Sequence, residues 1–353
     1  MNGPPRDPAE CFAYAALCRE AFEMPPLHRY DWLARIDPSN IRLARAGERV
    51  VGGLALVPTG MWLRGARVTA SAMHIVVVAP DQRKTGIGRG LVAAALRELH
   101  DAGTALCVLY PATDAIYRHA GFHDAGVRVR YRATGADLVA PDGATRVERV
   151  GRADVASLHE AYRDRASATS GNLDRNPWVW HRVLHELDEA TLAVRAIGSD
   201  GHVLAYGVAH RAGEDVHLRD LVGVHPNAER AVLAHLAQGA RFVEWNGAPV
   251  EPVVTASIVG ERVWLARICH LERSIATLRV APDVTATIEL DVADELLPEN
   301  AGRWVVSIAA GTVSIQRGGS GTRAVDIRDL VPIVTGHVAS ELGGPRPWMP
   351  DVF

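Results

Sequence analysis

The stretch Met73-His-Ile-Val-Val-Val-Ala79-Pro-Asp-Gln-Arg-Lys-Thr-Gly86-Ile-Gly88-Arg-Gly90-Leu91 decides how the chain is read. Its first seven residues are β-branched and apolar on both faces, and Pro80 ends them, which predicts a buried central strand. After the glycines, Leu91, Ala94, Ala95 and Leu99 recur at helical spacing and stop at Gly103. The order is strand, Gly-rich basic loop, helix. Such a loop is an anion site: glycines let the backbone approach, the first helical N–H groups point outward, and the helix dipole favours negative charge. Arg83, Lys84 and Arg89 add side-chain charge for further phosphates. Gly-x-Gly-x-x-Gly is not met, because Gly90 falls one residue early, and the Walker pattern is absent. The bland alternative is a Gly-rich turn with a solvated basic rim.

Outward from this stretch, periodicity predicts a helix over 11–22, a break at Pro25 and Pro26, and a hairpin of strands 41–46 and 50–58 around Ala46-Gly47-Glu48-Arg49. A strand over 105–110 leads to a short helical piece with Ile116 and Tyr117. Residues 127–132 alternate, placing Arg128, Arg130 and Arg132 on one face that reads as a solvated edge. Pro141-Asp142-Gly143 marks a boundary, so the first domain is 1–145. Residues 146–275 hold a helix from Asp154, a piece with Trp178 and Trp180, strands near 192–197, 203–210 and 218–225, and a helix with Leu233 and Leu236. Val224-His225-Pro226-Asn227 follows a strand as Val78-Ala79-Pro80-Asp81 does, which indicates a degenerate repeat. Where the first copy has Gly86, Gly88 and Gly90, the second has Ala231, Leu233 and His235, side chains expected to keep a phosphate off the backbone. From 276 to 353 the pattern is strands (286–292, 304–308, 312–316) and a helix over 327–339.

Composition agrees with several folded domains. The 353 residues suit two or three units of about 150. Hydrophobic residues at 48% and charged residues at 22% argue against long disordered tracts. With 38 basic against 41 acidic residues the formal charge is −3, which points to no nucleic acid and no membrane as main partner. Apolar runs fall far short of the ~20 residues that span a bilayer. Pro4, Pro5 and Pro8 stand where a signal peptide would need an apolar stretch, so a cytoplasmic location is expected. Cys11, Cys18, Cys107 and Cys269 form no Cys-x-x-Cys pair and read as small hydrophobes. His181 and His185 have metal-ligand spacing but no third ligand, and no metal is expected.

In this context Val78-Ala-Pro with Arg83-x-x-Gly86-x-Gly88 resembles the acetyl-CoA signature of the Gcn5-related N-acetyltransferase (GNAT) superfamily. The chain also carries Ala115-Ile-Tyr-Arg-His-Ala-Gly-Phe122, Asp294-Glu-Leu-Leu-Pro-Glu-Asn-Ala-Gly-Arg-Trp304 and the terminus Pro347-Trp-Met-Pro-Asp-Val-Phe353. Together they resemble the enhanced-intracellular-survival (Eis) family of these enzymes almost end to end. The resemblance implies an α/β (α+β) fold of tandem GNAT-type mixed sheets, the second degenerate, followed by a C-terminal sterol-carrier-protein-like α/β domain. It implies acetyl-CoA as co-substrate, a homo-oligomer (a hexamer), and a small-molecule amine as acceptor, aminoglycoside or polyamine.

The resemblance also assigns roles. Val76, Val77 and Val78 would pair with the pantetheine arm on a splayed strand, and Arg83, Lys84, Thr85, Gly86, Ile87, Gly88 and Arg89 would cradle the pyrophosphate. Ala112 and Thr113 would face the cofactor. Tyr117 matches the general acid; a phenol near pKa ~10 stays protonated at neutral pH and can protonate a thiolate near ~8.5. The Phe353 carboxylate would be the base, with direct attack of the amine on the thioester and a backbone N–H of strand residues 75–78 holding the oxyanion. His74, at the entry of the strand, is a candidate substrate contact or substitute base, against a plain structural histidine. Asp31, with Asp37, could attract a cationic amine, against ordinary helix-terminal carboxylates. The chain departs from the family in a shorter segment before Pro347 and in Val352, where aminoglycoside-acting members tend to carry an acidic residue. A protein lysine is a second acceptor, and a non-catalytic CoA- or lipid-binding module is the rival from another class.

Overall fold

Gly52 and Gly53 sit next to each other in one strand and therefore face opposite sides of the sheet. A Cβ at Gly52 would lie 2.8 Å from the Val77 carbonyl oxygen of the neighbouring strand and in ordinary contact with Leu91 and Ile87 at 3.4 and 3.5 Å, whereas one at Gly53 would lie 2.8 Å from the ring of Tyr14. Gly53 thus lets the helix that carries Tyr14 close on one face, and Gly52 leaves room for the Val77 carbonyl on the other. The computed structural model describes residues 2–23, 36–141, 145–151, 154–184, 191–249, 252–337 and 347–351. They fall into two compact units, one drawn from Met1–Ala125 and Trp264–Gly344, the other from Gly126–Val263 and Pro345–Asp351.

The first unit starts with β1 (Asn2–Gly3) and helix α1 (Pro8–Ala21). The helix begins earlier than its apolar spacing indicates, because Asp7 caps it by accepting from the Glu10 N–H at 3.0 Å and Pro8 occupies its first turn. Then come β2 (Ile41–Ala46), β3 (Arg49–Leu63), β4 (Ala66–Val78), α2 (Ile87–Asp101), β5 (Leu106–Leu109) and α3 (Ala115–His119). β1 to β4 pair antiparallel in sequence order, and β4 pairs parallel with β5 through the α2 crossover. The strand expected over 73–79 is the end of a longer one, whose earlier half, with Arg67 and Thr69, gave a weaker apolar signal.

The second unit is drawn from β6 (His123–Thr134), β7 (Arg146–Arg149), α4 (Val155–Ser167), β8 (Leu173–Asp174), α5 (Pro177–Leu184), β9 (Thr191–Ile197), β10 (Val203–Ala212), β11 (Asp215–Gly223), α6 (Pro226–Leu236) and β12 (Phe242–Gly247). β9, β10 and β11 pair antiparallel, and β11 returns through α6 to a parallel β12, the same strand–helix–strand unit as β4–α2–β5. Val232, Leu233 and Leu236 of α6 pack with Val194, Val243 and Trp245 in its core. β6 pairs with β12 from Val129 to Thr134, so it is an interior strand there. The expected solvated arginine edge holds for Arg130 and Arg132, which are exposed, with Arg132 paired to Glu244, and fails for Arg128, which is buried and donates to the Pro350 carbonyl. The alternation marks a face that is exposed at Arg130 and Arg132 and carries a cross-strand ion pair to Glu244.

Strand β13 (Ser257–Ile268) had no sequence expectation, since Gly260, Glu261 and Arg262 interrupt its apolar pattern. Its residues 265–268 pair antiparallel with β5. After α7 (Leu271–Ala276), β14 (Ala286–Ala293), β15 (Gly302–Ala309), β16 (Thr312–Arg317) and β17 (Arg323–Asp326) form a separate four-stranded sheet in the order β16–β15–β14–β17. Helix α8 (Ile327–Thr335) is capped by Asp326 and ends where Gly336 turns left-handed at φ +82, short of the expected limit. The fully buried Arg267 on β13 ties this part together, its guanidinium donating to both Asp294 oxygens (2.6 and 2.7 Å) and to the Ala120 carbonyl (2.9 Å).

Candidate active site

The β4–β5 ladder covers only Ala70↔Leu106, Ser71↔Cys107 and Ala72↔Val108. Beyond it, among the described residues, β4 continues to Val78 with β3 as its partner, so the two parallel strands part. On this stretch Ala55 faces His74 and Gly53 faces Val77, which leaves Leu54 opposed by both Ile75 and Val76. That is a β-bulge. Ile75 takes φ +47, a left-handed conformation that a β-branched residue adopts only under constraint. Val76 and Val78 are half-buried and Val77 is buried. His74 is buried as well.

Past Val78 the chain makes one short 3₁₀ turn (Pro80–Gln82), then a loop in which Lys84 (φ +65) and Gly86 (φ +91) are left-handed. Gly86 is the cap residue of α2, and no side chain caps the helix start, so the first-turn N–H groups have no intrahelical acceptor. A Cβ at Gly86 would meet nothing within 4 Å: the space over the helix start is open. Arg83, Lys84, Thr85 and Arg89 are exposed around it, while Ile87 and Gly88 are half-buried. Thr85 Oγ1 donates to the Gln82 carbonyl at 2.7 Å and the Arg49–Asp81 pair brackets the turn, with both nitrogen–oxygen contacts at 2.8 Å. Open backbone donors ringed by cations suit a pyrophosphate, so the residues fit the donor expected from the sequence.

Gly88 connects this cradle to the third element. A Cβ there would lie 2.9 Å from Ile116 Cδ1 and 3.5 Å from Val78 Cγ2, so the end of β4, the start of α2 and helix α3 meet at that point. Tyr117 follows Ile116, with its ring edge-on to Phe122 at 5.7 Å between centroids. Burial, with a smaller contribution from Cys107, pushes its phenol up to about 12, higher than the ordinary value used in the sequence argument. The phenol is thus a proton-bearing group at any working pH. Transfer to a thiolate is easy only where the thiolate shares the same poorly solvated surroundings, which raise its basicity too. Ala112 and Thr113 are exposed in the turn before α3. Asp31 and Phe353 lie outside the described residues, so the structure bears on neither. No group of three or more metal-ligating side chains occurs among the described residues.

Two features of the site had no sequence signal: the bulge at Ile75 and the packing of Ile116 against Gly88. In the second unit the corresponding helix, α6, starts at Pro226, directly after β11, without the Gly-rich loop. Ala231 and Leu233, expected to block a phosphate, instead point into the core. The obstruction is Glu229 in the first turn of α6: a Cβ at Gly223 would sit 2.1 Å from its Oε2. A carboxyl group stands where an anion would bind.

With this geometry in place, comparison with known proteins is specific. Residues 7–125 match the family model of the acetyltransferase (GNAT) domain, and residues 271–342 that of a sterol carrier protein domain. A GCN5-related N-acetyltransferase from Kribbella flavida is 25% identical, over 100% of this chain and 98% of its own, with a TM-score of 0.85. One from Anabaena variabilis reaches a TM-score of 0.92 at 23% identity, covering 100% of both chains. Eis1 from Mycobacterium abscessus has a TM-score of 0.80 at 19% identity, again over 100% of both. No curated protein matches the chain in sequence. The fold is therefore tandem GNAT-like sheets with a C-terminal sterol-carrier domain, and the chain is an N-acetyltransferase. Acetyl-CoA is the donor that the GNAT fold implies. No helix among the described residues is long and apolar enough to cross a membrane.

Proposed function

We propose that the chain is an Eis-type acetyl-CoA-dependent N-acetyltransferase that acylates a primary amine of a small cationic molecule, an aminoglycoside or a polyamine. The observation that carries this reading is the convergence at Gly88, which brings the splayed strand end, the cationic cradle and the phenol-bearing helix α3 together. Val76, Val77 and Val78 hold the pantetheine arm, and Arg83 to Arg89 hold the pyrophosphate. A neutral amine attacks the thioester carbonyl carbon, the C–S bond breaks, and the thiolate leaves with a proton from Tyr117. The amine's own proton passes to the Phe353 carboxylate, directly or through water. The acceptor enters on the side of His74, and the Asp31 carboxylate attracts its positive charge. The second unit, with Glu229 at its helix start, is structural and binds no donor. The likeness to Eis enzymes further supports a cytoplasmic homo-oligomer of six copies and the domain division 1–145, 146–275 and 276–353.

The test is a panel of aminoglycosides, polyamines and lysine peptides with detection of released CoA thiol, and mass spectrometry to count acetyl groups. Activity on small amines that falls by about a hundredfold in Tyr117→Phe supports the assignment. Tight CoA binding with no thiol released from any amine overturns it in favour of a binding module.

A further inference from the structure

The bulge in β4 needs something to hold it. A left-handed β-branched residue costs roughly 1–3 kcal/mol and persists only where its surroundings over-determine it. At Ile75 the restraint is visible: the Tyr14 hydroxyl, reaching from α1, donates a buried hydrogen bond of 2.8 Å to the Ile75 carbonyl. Tyr14 is 1% exposed. Its ring lies against Gly53, where a Cβ would come within 2.8 Å of both Cδ2 and Cε2, so β3 leaves room for this aromatic opposite the bulge. Burial pushes the Tyr14 phenol well above its ordinary range, so it stays a donor throughout the working pH range.

The Ile75 carbonyl and the Val76 N–H belong to one planar trans peptide and point in opposite directions, so holding the oxygen sets the direction of the N–H. We propose that Tyr14 is a positioning residue for acetyl transfer: by clamping the Ile75 carbonyl it aims the Val76 N–H at the carbonyl oxygen of the bound thioester, where negative charge develops during attack. This rests on the reading above that the end of β4 receives the thioester. Packing alone does not require the hydroxyl, since a phenylalanine would fill the same space over Gly53. A preorganised backbone donor of this kind is worth much more in the transition state than in the ground state. The clamp should therefore act on turnover and not on donor binding.

Tyr14→Phe in the full-length protein tests it. The expected result is a kcat at least about tenfold lower, with KM for acetyl-CoA within about twofold of the parent. The second readout is the infrared carbonyl stretch of acetyl-CoA labelled with ¹³C at its carbonyl, bound without an amine. In the parent the band lies below its position in solution, and in Tyr14→Phe it moves back up. If Tyr14→Phe does not fold, Gly53→Ala displaces the ring while keeping the hydroxyl, and the same two changes are expected. An unchanged band, an unchanged kcat, or a KM that rises in step with the fall in kcat overturns the proposal. A parent band at the solution position refutes the placement of the thioester on β4 and the clamp with it. A shifted parent band that Tyr14→Phe leaves in place refutes the clamp alone.

Discussion

Replacing Arg175 by Met removes a guanidinium bonded to two buried carboxylates of the second unit. Arg175 donates to Asp220 from Nη1 (2.6 Å) and Nη2 (3.0 Å) and to Asp351 from Nε (2.9 Å), and all three side chains are at most 4% exposed. Tyr206 donates to Asp220 at 2.6 Å, and the Arg175 guanidinium stacks over Tyr162 at 3.8 Å. Burial raises both carboxyls; at Asp220 the arginine overcomes that and holds it low, while Asp351, with Asp220 beside it, stays raised. Methionine fills much of the volume but takes away the cation that hydrogen-bonds both acids, leaving only the weaker fields of Arg182 on Asp351 and Arg165 on Asp220. Breaking a buried pair costs about 3–5 kcal/mol, and losing the partner of two acids puts the change at the upper end. For a unit of this size that is a fall in melting temperature of about 10 °C or more. The sign with pH is fixed. In the variant both folded-state pKa values lie above their unfolded values, so the folded state binds more protons and its stability falls as pH rises through them. Differential scanning calorimetry at pH 7.5 and pH 5 should show the larger deficit at pH 7.5. An equal deficit at both pH values, or one below about 1 kcal/mol, would refute the argument.

Four further outcomes are expected. Gly86→Val forces a β-branched residue to φ +91 at the cap of α2, and KM for acetyl-CoA should rise roughly tenfold or more in steady-state kinetics. Asp294→Asn leaves the fully buried Arg267 charge uncompensated, which should destabilise the first unit by about 3–5 kcal/mol in urea titrations. With the Tyr117 phenol pushed up to about 12, kcat should show no alkaline limb from this residue below about pH 11. Because the folded state keeps that proton above the unfolded value of about 10, Tyr117 should lower stability between about pH 10 and 12.

The sequence alone determined the parts that depend on local pattern: the β-branched run ending at Pro80, the glycines at 86 and 88 before a helical period, the hairpin at 41–58, and the echo of strand, proline and helix at 224–236. These are legible because each is set by residues close together in the chain. The tertiary structure decided what depends on distant partners. Ile75 carries no mark of its left-handed turn, since Gly53 and Tyr14 impose it from other elements. Arg128 reads as part of an exposed edge until Pro350 is placed against it, and the exposed Arg132 shows its partner Glu244 only once the strands are paired. The second helix start is closed by Glu229 through its proximity to Gly223, not by the side chains that align with the glycines. Strand β13, with charged residues at its middle, is anchored at its end, where residues 265–268 pair with β5. In each case a polar or strained group is stable only beside a partner remote in sequence. The periodicity of a segment cannot report that partner, because it records only which face is apolar.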